Sequence, residues 1–199
     1  MRRIRFTKFA LLTVLSAGTV VISQQPPALP YESPGACPFE CCTYRTWTVE
    51  QDTSLLADRR DRAPVKFRVR RGERVVGVTG IVVTSRFGRA AARSARRVGR
   101  QGKTAEPGDE LRLIHYLGEG YWKYWFRDTV DEDFVPDAEN CGRSTKSSAE
   151  MRDACAVQID EKPNTTWWVK IRRADGLEGW TTQVDHFGNI DACGVPRPK

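Results

Sequence analysis

The sequence predicts a mainly β fold: one or two small fused barrels, with a helical export leader in front and disulfide staples. Three observations predict it. Stretches with helical period are scarce, whereas Trp (6) and Gly (16) are plentiful in 199 residues. Short runs alternate apolar and polar residues with the period of two that a half-buried strand requires. Six cysteines stand behind an apolar leader, and an even count there points to disulfides in an oxidising compartment.

The leader is read over residues 1–23. Arg2, Arg3, Arg5 and Lys8 precede the uncharged run Phe9–Ile22, which is too short to span a bilayer comfortably but suits a signal-peptide core. Cleavage is placed near Ser23–Gln24, with an uncleaved anchor as the other reading. The mature protein is then periplasmic or secreted and has no stable membrane span. Taking those four cations from the formal charge of +7 leaves +3, so the basic pI is a weak argument for nucleic acid, and none is expected as a partner.

Residues 24–45 form a Pro- and Cys-rich arm. Pro26, Pro27, Pro30, Pro34 and Pro38 exclude a helix or a central strand. Cys37, Cys41 and Cys42 staple its end. A bridge from Cys193 to this arm would tie the termini together, while Cys141 and Cys155 would close a loop of their own. The Cys-x3-Cys-Cys spacing lacks paired zinc knuckles, and no metal or cofactor is expected.

The first β unit is assigned to residues 46–105. Trp47–Glu50 and Asp52–Ala57 are short extended runs, and Val65, Phe67 and Val69 face inward on the next strand. Val75–Thr84 is nearly all apolar and β-branched, which suggests cover on both faces. Gly77 and Gly80 inside it suggest a bulge or a sharp bend. Ala90–Arg97 is either a return strand or a short helix, and strand is chosen. Seven cations and no acid lie between Arg86 and Lys103. They are read as a solvated loop balanced by the acids further on, with contact to an anionic polymer or acidic partner as the competing reading.

The second β unit is assigned to residues 106–199, with an acidic insertion at 128–155 framed by Cys141 and Cys155. Leu111, Leu113, His115 and Leu117 share one face, which makes His115 a satisfied core or edge residue. Gly118-Glu119-Gly120 turns the chain into the aromatic strand Tyr121–Arg127. Trp122, Tyr124 and Phe126 face in, while Tyr121, Lys123, Trp125 and Arg127 face out, because cations are seldom buried without partners. By the same logic Trp168 lies outward beside Lys170 and Arg172. The expected ligand platform is therefore Tyr121, Trp125 and Trp168, ringed by Lys123, Arg127, Lys170 and Arg172, with Trp180 closing one end. The competing reading packs these rings as core.

The strand Trp167–Arg172, the Asp175-Gly176 turn and Gly179-Trp180 form a W-x-K-I-x-x-x-x-G-x-x-G-W hairpin. Together with the Gly-acid strand starts at Gly72 and Gly108, it resembles bacterial SH3-like domains over residues 47–187. The resemblance implies a five- or six-stranded barrel, often exported, that binds wall polymers or peptides. Six cysteines, the insertion and the lack of an attached catalytic domain depart from that pattern.

No G-x-S-x-G, H-E-x-x-H or Gly-rich phosphate loop is present. The leading expectation is an exported, non-enzymatic module that binds a cell-wall polymer or an extended peptide. The alternatives are a secreted interaction or inhibitor protein docking through Arg93 and Arg96, and, more remotely, a wall or polysaccharide hydrolase using Asp131, Glu132 and Asp133.

Overall fold

The apolar run near Val75–Val83 becomes the longest strand, and a sheet forms along both of its edges. The structure, a computed structural model, describes residues 25–60, 62–143 and 149–193. The signal peptide expected at 1–23 lies outside the described residues. The protein is mainly β, with 52% strand against 9% helix, and its sheets curl.

The first sheet opens with β1 (Tyr31–Pro34), β2 (Thr46–Val49), β3 (Thr53–Leu56), β4 (Val65–Val69) and β5 (Arg74–Arg86). The chain then leaves to build β6 (Gly88–Ala92), β7 (Arg96–Val98), β8 (Lys103–Ala105), β9 (Glu110–Gly118), β10 (Tyr121–Phe126) and β11 (Thr129–Phe134). Two short helices follow, α1 (Ala138–Arg143) and α2 (Ala149–Ala154), and then β12 (Val157–Glu161). The chain returns to the first sheet as β13 (Asn164–Arg172), β14 (Glu178–Thr181) and β15 (Phe187–Gly188).

The first sheet runs β15-β2-β5-β13-β14-β3-β4, with β1 also paired to β5. The second runs β11-β10-β9-β6-β12, and β7 pairs with β8 alone. Sheet membership thus crosses the 105/106 boundary drawn from chain order. Residues 31–86 and 164–188 make one sheet, and 88–161 supply the other two. Strand, chosen over a short helix for Ala90–Arg97, is the outcome for Gly88–Ala92 and Arg96–Val98.

Each large sheet has its own core. Trp47, Leu55, Phe67, Val169, Ile171 and Phe187 fill the first. Leu111, Leu113, Trp122, Tyr124, Phe126 and Val157 fill the second. Burying each large side chain stabilises by roughly 1.5–3 kcal/mol. Val65 is not inward as expected: it is 49% exposed, because the pairing of β3 with β4 slips between Leu55 and Leu56 and breaks the alternation at the strand's start. A second slip, between Lys170 and Ile171 on β13, places a bulge at Val78 opposite them, beside Gly77. Gly77 lies directly under the Trp47 ring, where a Cβ would stand 2.7 Å from two ring carbons.

The acidic stretch does not stand outside the sheet. Its first residues form edge strand β11, in register with β10 from Phe126↔Thr129 to Tyr121↔Phe134. Acids occupy strand positions there because cations from the β7–β8 hairpin meet them: Arg96 pairs with Asp133 and Arg100 with Glu132, while Lys103 pairs with Asp128 just before the strand. Ala149–Ala154, just before Cys155, forms the short helix α2.

All six cysteines are bridged: Cys37–Cys42, Cys41–Cys193 and Cys141–Cys155. The second bridge joins the arm to the carboxyl-terminal end. Around it, Ala192 N donates to Cys41 O (2.8 Å) and Thr43 N to Ile190 O (3.0 Å). The bridges fit an oxidising compartment. Among the described residues, no helix is long and apolar enough to cross a membrane.

Gly77→Ala should lower stability by about 1–3 kcal/mol, the usual range for forcing a methyl into a filled core. Urea unfolding of the oxidised protein measures it; an unchanged midpoint would show that the Trp47 ring yields without cost.

Candidate functional site

The eight residues expected to form a platform divide between the two large sheets. On β10, Tyr121 is 47% exposed and sits edge-on to Phe134, with centroids 5.9 Å apart. Trp125 is half-buried under Arg112, 5.9 Å above its ring. Lys123 stands between His115 and Glu132 in the strand register. Arg127 donates to Asp109 (3.0 Å) and covers Phe126 (4.8 Å). On β13 and β14, Lys170 bonds Glu178 at 2.9 Å, and Arg172 lies 3.9 Å from the same carboxylate. Trp180 is half-buried, with Arg59 and Lys170 over its ring at 5.5 and 5.6 Å.

Trp168 corrects the expectation: it is 7% exposed. Alternation placed it rightly on the face opposite Val169 and Ile171, but periodicity cannot show that one end of a face is covered. That face is closed at Trp168 and open at Arg172. No single platform of Tyr121, Trp125 and Trp168 forms.

The cations of Arg86–Lys103, Arg97 excepted, pair with acids of the second sheet and its neighbourhood. Arg86 pairs with Glu161, Arg89 with Glu110 and Asp160, and Arg93 with Asp160. Arg97 donates to Gly102 O at 3.1 Å. Arg96 is 9% exposed and also reaches Asp153. The acids considered for hydrolysis have structural work as well. Asp131 accepts from the amides of Gln101 and Glu132, and Asp133 from those of Gly99 and Phe134.

A concave site does form where β9, β10 and β11 turn toward α1. The cleft measures about 720 Å³, and its walls are Tyr116, Trp122 and Phe134, with Val135, Pro136 and Ile159 beside them. Tyr116 and Trp122 pack 5.1 Å apart, tilted by 55°. Gly120 shapes the entrance. Its φ is +82°, its amide donates to the Tyr116 hydroxyl (2.9 Å), and a Cβ there would strike the Phe134 ring. Glu119, Asp137, Asn140 and Lys162 supply the polar rim. Asp137 is engaged in holding α1, accepting from Asn140 N at 2.8 Å.

Sequence reasoning missed this cleft. Tyr116 was not singled out, because a bulge at Ile114 turns it inward. Phe134-Val135-Pro136 was hidden in the acidic stretch, although three apolar residues among acids were the available signal.

The same bulge moves His115 off the face of Leu113, since His115 pairs with Lys123 whereas Leu113 pairs with Tyr124. His115 is 1% exposed. Its Nδ1 lies 2.9 Å from Tyr116 O, and its Nε2 has no partner among the described residues, so it is only half satisfied. Burial pushes its pKa down, against a smaller opposing pull from the hydrogen bond to the Tyr116 carbonyl, and the nearby Lys123 charge adds a lesser downward push. Burial likewise pushes the Tyr44 hydroxyl up to about 12; it accepts from Trp167 Nε1 (3.2 Å) and donates to Ala36 O.

The chain matches no family model, no curated protein and no solved structure, so its own geometry carries the functional reading.

Because the folded pKa of His115 lies below its unfolded value near 6.5, its contribution is present above that pH and lost as pH falls below it. Stability should decline from pH 7 to 5 at up to about 1.4 kcal/mol per pH unit, the limit for one proton. His115→Phe should flatten that decline in pH-resolved urea titrations. An equal slope in both proteins would remove His115 as the cause.

Proposed function

We propose that this protein is an exported, non-enzymatic binding module of the SH3-like kind that holds an extended peptide segment in the Tyr116–Trp122–Phe134 cleft. The observation that carries the reading is the cleft itself: apolar, partly aromatic walls under a polar rim. Pockets of this size and lining are usual ligand sites. The curled antiparallel sheets and the disulfides support the SH3-like, exported assignment.

The wall geometry favours a peptide over a sugar here. Stacking on a pyranose needs a flat, open ring. Trp122 is 7% exposed, Tyr116 is tilted against it, and Phe134 meets Tyr121 at 74°. Such walls suit an apolar side chain, while Asn140 and Lys162 at the rim suit a passing backbone or carboxylate. Docking of a partner through Arg93 and Arg96 is the weaker reading, since both already pair with acids of the same chain.

The test uses the oxidised mature protein on an array of extended peptides, beside retention on purified insoluble cell wall. Peptides with a large apolar side chain should be selected. Phe134→Ala should weaken them about tenfold or more, and Lys162→Glu should weaken the subset with an acidic flank. Equal binding by parent and Phe134→Ala, with both folded by circular dichroism, would exclude the cleft. Wall retention that depends on Phe134 without any selected peptide would replace the peptide by a wall polymer.

A further inference from the structure

The cations of this protein fall into two groups. Those of the β7–β8 region meet acids or carbonyls of their own chain. On the outer face of the first sheet, four cations meet a single carboxylate, which pairs with Lys170 and Arg172. Lys66 and Arg68 on β4, and Lys170 and Arg172 on β13, point away from the core that Phe67, Val69, Val169 and Ile171 fill. Glu178 is the carboxylate that meets this group. Its hydrogen bond from Lys170, then the charges of Lys170, Arg172 and Lys66, hold it below the usual range despite some burial. Among the described residues, neither Lys66 nor Arg68 has an ion-pair partner. The neighbouring acids are engaged elsewhere: Asp58 with Arg60, Glu32 with Arg59 and Asp175 with Arg173.

Arg68, Lys170 and Arg172 alternate with buried neighbours on their strands, and Lys66, the bulged residue of β4, is exposed beside buried Phe67 and close enough to act on Glu178, so the four cations form two rails. Residues i and i+2 on one strand stand about 6.6 Å apart. β14 and β3 lie between β13 and β4, so the rails are about 14 Å apart, three strand spacings. Trp180 and Leu56 pair across the band between them, where Glu178 stands beside Lys170 and Arg59 lies over the Trp180 ring.

We propose that this face binds a linear phosphodiester polymer without aromatic bases, its phosphates lying along the Lys66–Arg68 and Lys170–Arg172 pairs. Charge complementarity names the anion, and the guanidinium forks of Arg68 and Arg172 fit phosphate oxygens two at a time. A peptide adding as a strand would pair along the free edge of β4 and not across the band of β14 and β3, which are interior strands with partners on both sides. Nucleic acid is disfavoured because cations already cover the Trp180 ring, which would otherwise stack a base. This surface is separate from the cleft, and the two readings stand or fall independently.

The probe is synthetic poly(glycerol phosphate), titrated against the oxidised mature protein at several salt concentrations. Binding should weaken as salt rises, as release of counterions requires. K66Q/R68Q should weaken it about tenfold or more and flatten the salt dependence by about 1 for each contact removed. Glu178→Gln should tighten it by freeing Lys170 and Arg172. Arg100→Gln, on the neutralised hairpin, and Phe134→Ala, in the cleft, should bind like the parent. Unchanged affinity in a folded K66Q/R68Q would overturn the proposal, and so would tighter binding of single-stranded DNA or poly-glutamate than of the phosphate polymer.

Discussion

The pairing of β5 with β13 is the constraint on which the rest of the structure depends. It joins Val76–Arg86 to Asn164–Arg172, and everything in the second sheet lies between those two segments in the chain. Closing so long a loop costs entropy that local contacts cannot repay early in folding. The strands that meet are a long apolar, β-branched run and the Trp-rich hairpin. Trp47, Val75, Val169 and Ile171 reach one core from them and from neighbouring β2. Once this ladder forms, β2 and β1 have an edge to join, and the two ends of the described chain come close enough for the Cys41–Cys193 bridge.

The second sheet follows a different logic. Its edge strand β11 is acidic and would be a poor strand alone. It is held from one side by the apolar β10 and from the other by cations of the β7–β8 hairpin. Arg96 anchors this arrangement: it is nearly buried and donates to Asp133 and to Phe134 O. Removing one partner of such a pair strands a charge and typically costs 3–5 kcal/mol, so the hairpin and the acidic strand specify each other. The cleft depends on that order, because Phe134 directly follows Asp133 and Asp137 holds α1.

Much of the fold was legible in the residues. Alternation placed β2, β4, β10 and β13, a continuous β-branched run placed β5, the glycines marked the turns, and cysteine parity with position suggested two of the bridges. What escaped notice depended on contacts between distant segments. A bulge at Ile114 reverses faces without leaving a mark in the sequence, and it moved both Tyr116 and His115. Burial of Trp168 depends on what lies over it, which period two does not encode. β11 failed every test of strand composition because its cations are some thirty residues away. The candidate site suffered most for the same reason: its walls come from β9, β10, β11 and β12, and no stretch of sequence holds them together.

Charge shows how the two sheets divide the work of the surface. A basic stretch in a sequence invites a reading as a docking patch, yet Arg86–Lys103 is the part of this protein where cations are most fully matched. The matching is local, between strands in contact, so its field falls off within a Debye length of about 8 Å at physiological salt. Lys66, Arg68, Lys170 and Arg172 are fewer and scattered in the sequence, but they share one face and meet one carboxylate. The field that a distant anion senses therefore comes from the first sheet, although the sequence looks most basic in the second. Recognition by charge depends on what remains after internal pairing, and in this fold the strand order decides that remainder.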